Sequence, residues 1–440
     1  MFNSELLEKT WAPVLDSPDA PAFKDNTRRA ITAVLLENQR KDLDEQRAQS
    51  GFLAEGNEIG AGAGAVKTWD PVLISLVRRA MPNLIAYDVA GVQPMTMPTG
   101  LIFAMRSQYQ NAAGANTAEA LFNKPDTAFS GKVTTAQAEA LTGNGTNGNY
   151  TDPNTGNVVQ IGRTAAGGGF GQMGFAIDKA TVTAETRALK AEYTMEIAQD
   201  LKAVHGLDAE AELANILTTE IIGEINRELI DTVNLKATTG GIIGDLDGAG
   251  VGTAVGPLGT FDLDTDADGR WAVEKFKSLV FQLELEANAI AKATRRGKGN
   301  YVICSSNVAS ALAAAGVLDY TPALSANLQV DDTGNTFAGM INGRLKVFID
   351  PYAIVDYITV GYRGPTAYDA GLFYCPYVPL TMMRAQDPNT FQPKIGFKTR
   401  YGLVANPFAP GATTGGLGTN ALNPYFRTFS VLNLGVAPSA

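Results

Sequence analysis

The chain has 440 residues, of which 45% are apolar and 18% are charged, and its formal net charge is −10. This length suffices for two or three domains with real cores, and the composition is typical of a folded protein. The acidic charge disfavours a nucleic-acid binder, because phosphate contacts need clustered Lys and Arg. The single histidine, His205, disfavours His-based metal sites and His-dependent catalysis.

The first fifty residues are highly charged, and because Met1 to Lys9 is acidic and polar, no signal peptide is expected there. Residues 27–48 are predicted to form an amphipathic helix with a narrow apolar face, and the prolines before it (Pro13, Pro18, Pro21) are expected to break up the preceding segment. The helix has too little apolar surface for a core of its own. We therefore expect an appendage that binds something else.

A Gly- and Ala-rich stretch, 51–65, follows this helix. Such a composition is typical of a flexible, exposed linker of the kind that proteases cut. A short amphipathic helix is predicted at 71–81, closed by Pro82. No apolar stretch in the chain approaches the ~20 residues of a membrane span, so a protein made in the cytosol is expected.

A strand is predicted at 101–106, and strand character returns at 175–189. Between them, 110–171 has almost no apolar pattern and contains runs such as GNGTNGNY. An excursion of roughly 60 residues without pattern is uncommon inside a compact domain. The sequence leaves two alternatives, a disordered loop or a loop that is ordered on a neighbouring subunit.

The strongest helical pattern runs from Asp208 to Asn234, with an apolar residue at every fourth position and Asp208 as the cap. Its length would be ~40 Å at 1.5 Å per residue. Residues 236–269 are predicted to be loop, and 271–294 a second long helix. A mixed α/β region is predicted after it, with strands at 301–304, 345–349, 357–360, 371–380, 395–403 and 426–434, and a helix at 307–315.

Candidate chemical sites are few. The run DTDADG at 264–269 begins like a calcium loop, but Lys275 stands where that loop requires Glu, so an acidic turn before the next helix is the alternative. Cys304 and Cys375 lie in apolar strands and are expected to be buried free thiols. No pattern of a catalytic, cofactor or metal site is found, so we predict no enzyme activity and no cofactor.

Several blocks resemble the major capsid protein family of T-even-type tailed bacteriophages. They occur in the family's order and cover most of the chain except 110–171 and 236–265. The blocks are VRRAMPNLIAYD at 77–88, GVQPM at 91–95, PTG at 98–100, IAQDLKAVHG at 197–206, EI at 220–221, EINRE at 224–228, VGYRGP at 360–365, DAG at 369–371 and GFKTRYG at 396–402.

The resemblance implies an α+β, HK-97-type capsid fold. In that fold an N-terminal arm and a long two-stranded E-loop reach over neighbouring subunits, a peripheral (P) domain is built on a long spine helix, and an axial (A) domain surrounds the capsomer axis. The implied division is a removable segment at 1–55, the arm and start of the P domain at 56–100, the E-loop at 101–188 with a reduced insertion at about 110–171, the P domain with its spine helix at 189–235, the A domain at 236–365, and a P-domain return with the C-terminal strand at 366–440.

The resemblance also implies that a phage protease removes an N-terminal segment. In this family the cut follows a glutamate in a Leu/Ile-x-Glu context. Leu53, Ala54 and Glu55, followed by Gly56, match that context and lie in the linker. The same triplet recurs at 6–8, 35–37, 43–45 and 222–224. The first three lie inside the segment to be lost, and the last is expected to be protected within the spine helix, so location selects Glu55.

The function implied is that of a shell subunit. Many copies form hexamers, and whether they also form pentamers is an open alternative. The shell encloses DNA without sequence-specific binding. Implied partners are a scaffolding core, a prohead protease, and vertex, portal and decoration proteins, with no membrane. The expected location is the virion, after synthesis in the host bacterial cytoplasm. The alternatives are a pentamer-forming vertex protein of the same family, a cellular nanocompartment shell of the encapsulin type, and a calcium-dependent enzyme.

Overall fold

A computed structural model describes most of the chain. The described residues are 4–16, 23, 25–49, 84–110, 116–121, 125, 149–151, 158–160, 172–240, 259–264, 267, 271–316, 318–319, 336–366, 368–387, 392–407 and 422–434. The helix predicted at 71–81 lies outside these residues. No helix within the described ranges is long and apolar enough to cross a membrane.

The chain begins with two packed helices, α1 (Ser4–Leu15) and α2 (Asn26–Gln49). The expectation that prolines break up the first segment is wrong for Pro13, which lies within the last turn of α1. The expectation that α2 is an appendage is also wrong. Residues 32–39 of α2 are buried, and the helix packs against the body of its own chain, because α1 and the body each cover one of its sides.

The spine helix is α5 (Ala209–Lys236), and its position agrees with the sequence pattern. Asp208 caps it, with a side-chain oxygen 3.1 Å from the amide nitrogen of Glu210. The fourfold repeat forms the buried stripe, at Leu217, Ile221, Ile225, Leu229 and Val233. A short helix that the sequence pattern did not reveal, α4 (Met195–His205), precedes it and ends at Gly206, whose φ of 67° suits a residue without a side chain.

A four-stranded sheet packs beside the spine helix, in the order β1-β15-β16-β7. Its first strand pairs in parallel with β15, and the other pairs are antiparallel. A helix of one turn, α3 (Ala86–Val89), leads into it. The strands are β1 (Gly91–Val92), β7 (Glu185–Glu192), β15 (Leu372–Gln386) and β16 (Pro393–Ala405).

The second sheet has eight strands, in the order β11-β12-β13-β10-β14-β17-β8, with β9 also pairing with β17. Helices α6 (Ala272–Thr294) and α7 (Ser306–Ala314) accompany it. Its strands are β8 (Ala237–Thr239), β9 (Gly259–Asp262), β10 (Tyr301–Ser305), β11 (Leu318–Asp319), β12 (Thr336–Ile341), β13 (Leu345–Asp350), β14 (Tyr357–Gly361) and β17 (Asn423–Leu432).

One expectation about this sheet needs correction. The stretch 236–269 is not all loop, since β8 and β9 both pair in parallel with β17. The segment 366–440 is divided between the two sheets, because β17 pairs with β14 of the larger sheet while β15 and β16 form the smaller one. One continuous set of buried side chains runs through both sheets, the spine helix and the N-terminal helices. The division into domains at the stated boundaries stays a prediction.

The predicted E-loop begins as a long antiparallel hairpin of β2 (Thr99–Gln110) and β6 (Gln172–Thr183), with β3 (Asn116–Glu119) beside β2. The strand predicted at 175–189 is two strands, because β7 leaves the hairpin and pairs with β16. Inside 110–171, β4 (Asn149–Thr151) and β5 (Val158–Gln160) form a second small hairpin. Most of the remaining excursion lies outside the described residues.

Candidate assembly surfaces

The β2–β6 hairpin exposes an apolar face. In its register, Met105 lies opposite Ile177, so the odd-numbered residues of both strands point to one side. Phe103, Phe175 and Ile177 on that side are 61%, 73% and 68% exposed, and Leu101, Met105 and Met173 are also more than half exposed. A continuous exposed apolar patch of this kind marks a protein–protein contact site.

The other face of the hairpin holds it to the body near its base. Ile102, Ala180 and Val182 are buried together with Phe373 and Val404 of the smaller sheet. Farther out, the guanidinium of Arg106 pairs with the carboxylate of Asp178. The hairpin is therefore anchored on one face and open on the other, and the open face is the more apolar one.

Arg187 fixes the strand that follows the hairpin to the spine helix. Its guanidinium donates to Glu228 at 2.6 Å and to Glu224 at 3.1 Å, and it lies over the ring of Tyr401. The Tyr401 hydroxyl donates to the same Glu228 carboxylate. Burial and the bond to this carboxylate raise the pKa of Tyr401 well above its usual range, so the phenol stays neutral. The hairpin thus leaves the body from a rigid base.

Helix α4 is a second apolar surface. None of its residues is buried, although Met195, Ile197 and Val204 are large apolar side chains and more than half exposed. Thr194 caps the helix by accepting a hydrogen bond from the amide of Ile197. His205, the one histidine, is exposed in its last turn, next to the predicted turn at Gly206.

The candidate chemical residues are accounted for by local contacts. The ammonium of Lys275 lies 2.7 Å from the carboxylate of Asp264, so the residue in the place of the calcium-loop Glu forms an ion pair with the first acid of the run. Among the described residues, no three His, Cys, Asp or Glu side chains converge as metal ligands. Cys304 and Cys375 are buried and free, as predicted, and burial raises the pKa of each thiol to about 12.

The predicted cleavage residues Leu53, Glu55 and Gly56 lie outside the described residues. The competing triplets 6–8, 35–37, 43–45 and 222–224 all lie within helices α1, α2 and α5. Residues 35–37 are buried within α2, and 222–224 lie in the interior of the spine helix with Ile222 buried. Helical structure at 222–224 and burial at 35–37 disfavour cleavage there, since proteases cut exposed, extended backbone, and the choice of Glu55 stays a prediction.

Comparisons with known proteins show which family the sequence matches. The sequence matches a family described as "Major capsid protein Gp23" over residues 66–431. The major capsid protein of Salmonella phage ViI is 41% identical over 450 residues, which cover 96% of this chain and 97% of the relative. That of Enterobacteria phage T4 is 39% identical over 492 residues, which cover 93% of each chain. The capsid vertex protein of the same phage is 28% identical, over only 53% of each chain.

Among solved structures, the capsid of Myoviridae Phage XM1 aligns with a TM-score of 0.39 at 8% identity, covering 80% of this chain and 92% of that one. The mature capsid of bacteriophage PhiM1 aligns with a TM-score of 0.36 at 13% identity, covering 79% and 86%.

Proposed function

Because the chain belongs to the Gp23 family of major capsid proteins and is a shell subunit of a tailed phage, we propose that its copies join through the open face of the β2–β6 hairpin into hexamers. The exposed apolar side chains of that face carry the proposal. The vertex-protein and nanocompartment alternatives are not favoured, since the similarity to a vertex protein covers about half of the chain.

The geometry of the hairpin suits a repeated contact between unlike surfaces. A heterologous contact, in which one patch meets a different patch of the next copy, forms a ring when the rotation closes. A long arm spreads the contact over a neighbour. At ~25 cal/mol per Å², an interface of roughly 2,000 Å² gives a gross apolar term of tens of kcal/mol before ordering costs. The pentamers of the shell have two alternatives. They are built from this chain through the same contact, or from a separate vertex protein.

The N-terminal segment 1–55 is proposed to hold the subunit on an internal scaffolding core until a prohead protease cuts after Glu55. The family resemblance and the Gly- and Ala-rich linker support this position. Burial of the triplet at 35–37 and helical protection of 222–224 disfavour those sites. Removal of the segment would make assembly irreversible.

The further partners that the proposal includes are the vertex, portal and decoration proteins of a phage head. The packaged DNA would lie against an acidic shell wall that does not bind a particular sequence. Synthesis in the host bacterial cytoplasm belongs to the same proposal.

Two measurements test the proposal. Electron microscopy of the purified protein is expected to show six-membered rings, and rings that persist when the open hairpin face carries polar residues would contradict the role of that face. Mass spectrometry of virion protein is expected to show a chain that begins at Gly56. Recovery of chains that begin at Met1 from infectious virions would contradict the processing.

A further inference from the structure

One side chain of helix α2 bonds two separate backbone segments of the body. The amide nitrogen of Asn38 donates to the carbonyl oxygen of Met95 at 2.7 Å and to that of Tyr377 at 2.9 Å, and Asn38 is only 5% exposed. The same two segments pair with each other, since the amide of Gln93 donates to Tyr374 and that of Met95 donates to Pro376. Asn38 therefore lies at the end of this row of backbone hydrogen bonds and covers it.

A second contact ties the start of α2 to α3. The guanidinium of Arg28 lies 2.9 Å from the carboxylate of Asp88 and 5.2 Å from the centre of the Tyr87 ring. Burial raises the pKa of Tyr87 well above its usual range, so the ring beneath this cation stays neutral. The contact is charge-specific and mostly shielded from water, which makes it stronger than a surface ion pair.

Apolar packing joins the two helices to the main core. Ala33 and Leu36 of α2 are buried in the same cluster as Leu84 and Ile85, and Trp11 and Leu15 of α1 cover the helix from its other side. The N-terminal helices thus occupy a groove on their own chain, with Leu84–Met95 and β15 as its walls.

The packing contains a polar defect. Gln39 is 2% exposed, and neither polar atom of its side chain has a hydrogen-bond partner among the described residues. An unpaired buried amide weakens an association by about tenfold or more. A covalent tether compensates for such a cost, because it holds the two surfaces at a high effective concentration, and the compensation ends when the tether is cut.

We propose that helices α1 and α2 are an intramolecular cover, seated in this groove of their own chain, and that cutting the linker releases them and uncovers the groove. The inference deepens the proposed removal of 1–55 and rests on it for the release step. The seating of the cover in its own chain does not depend on where the protease cuts. The unpaired amide of Gln39 weakens the binding of the cover to the groove. The tethered cover therefore stays bound, whereas the cut fragment dissociates.

Hydrogen exchange of the purified full-length chain tests the seating. The reporters are the amides of Gln93 and Met95, and the strand β10 serves as an internal control for folding. Asn38→Ala is expected to speed exchange at the reporters about tenfold, since two buried carbonyls lose their donor. Gln39→Met, which keeps the length of the side chain and removes its unpaired atoms, is expected to slow it. Lys41→Ala, at an exposed position of the same helix, is expected to change nothing.

Three results would overturn the seating. The first is unchanged exchange at the reporters in Asn38→Ala. The second is faster exchange in Gln39→Met with β10 unaffected, which would show that the amide is needed. The third is protection that falls when the wild-type protein is diluted, which would show that the cover comes from a second copy.

The release is measured separately, by treating the full-length chain with the prohead protease and passing it over a size-exclusion column. The wild-type fragment is expected to elute apart from the body, and the Gln39→Met fragment is expected to stay with it several-fold longer. Co-elution of the wild-type fragment would overturn the release. A chain that is not cut after Glu55 would refute the proposed processing and leave the exchange result standing.

Discussion

The guanidinium of Arg227 lies 2.8 Å from the carboxylate of Asp350, and this pair joins the spine helix to the end of strand β13. The Asp350 side chain is completely buried and also accepts hydrogen bonds from the Tyr357 hydroxyl and the Tyr352 amide. Burial and the bond to Asp350 raise the pKa of Tyr357 well above its usual range, so the donor stays protonated. The larger sheet is therefore held to the spine helix by an ion pair whose carboxylate is buried.

Among the described contacts of Asp350, Arg227 is the only charged partner. Replacing Arg227 by Met should remove it. A buried carboxylate without its cation costs about 3 kcal/mol. We expect the free energy of unfolding of the isolated subunit to fall by about that amount in a denaturant titration. Asp231→Asn removes the more exposed partner of the same arginine and should cost less than about 1 kcal/mol. Equal losses in the two variants would contradict this assignment.

Replacing Phe103 by Ser should prevent assembly and leave the fold intact. Phe103 belongs to the exposed face of the hairpin, where a polar substitution changes subunit stability by about 0.5 kcal/mol or less. Loss of an aromatic anchor at a protein contact costs about 2 kcal/mol or more per contact. Light scattering should show few large particles while circular dichroism is unchanged. Thr181→Ser, on the same face, should assemble normally.

Replacing Glu55 by Ala should stop particles at the unexpanded prohead. The linker would stay intact, because the glutamate that precedes the proposed cut is lost. Electron microscopy of infected cells and the chain mass in particles provide the readout. Glu45→Ala changes a matching Leu-x-Glu triplet and should give normal heads. Infectious heads from Glu55→Ala would count against the site.

Alkaline pH should destabilise the subunit through its two thiols. Burial raises the pKa of Cys304 and of Cys375 to about 12, above the value of 9.0 for an exposed thiol. The unfolded chain therefore loses these protons first as pH rises. The stabilisation is fully present below pH 9 and is lost between pH 9 and about 12, at up to about 1.4 kcal/mol per pH unit for each thiol.

Thermal unfolding across this pH range measures the effect. Cys375→Ala should make the decline of the unfolding temperature with pH shallower, although it lowers the stability at neutral pH. An unchanged decline would show that this thiol does not contribute.

The helices and strands that the sequence predicted correctly have strong patterns. The spine helix repeats an apolar residue every fourth position, and that repeat became its buried stripe. Strands β8 and β9 were missed because they are short and lie in a Gly- and Asp-rich stretch, where pairing with β17 compensates for weak intrinsic preference. Helix α1 was missed because Pro13 looked like a break, although a proline within the last turn is tolerated when α2 packs against the helix.

The amino-acid sequence by itself determined the class of protein and its family, because these depend on composition and on blocks of local sequence. The tertiary structure decided which surfaces are open and which are closed. Asn38 bonds carbonyls that lie 57 and 339 residues away along the chain, and Phe103 is exposed only because Ile102 takes the buried side of the same strand. Exposure depends on contacts between distant segments, and periodicity along one segment does not reveal which distant segment covers it.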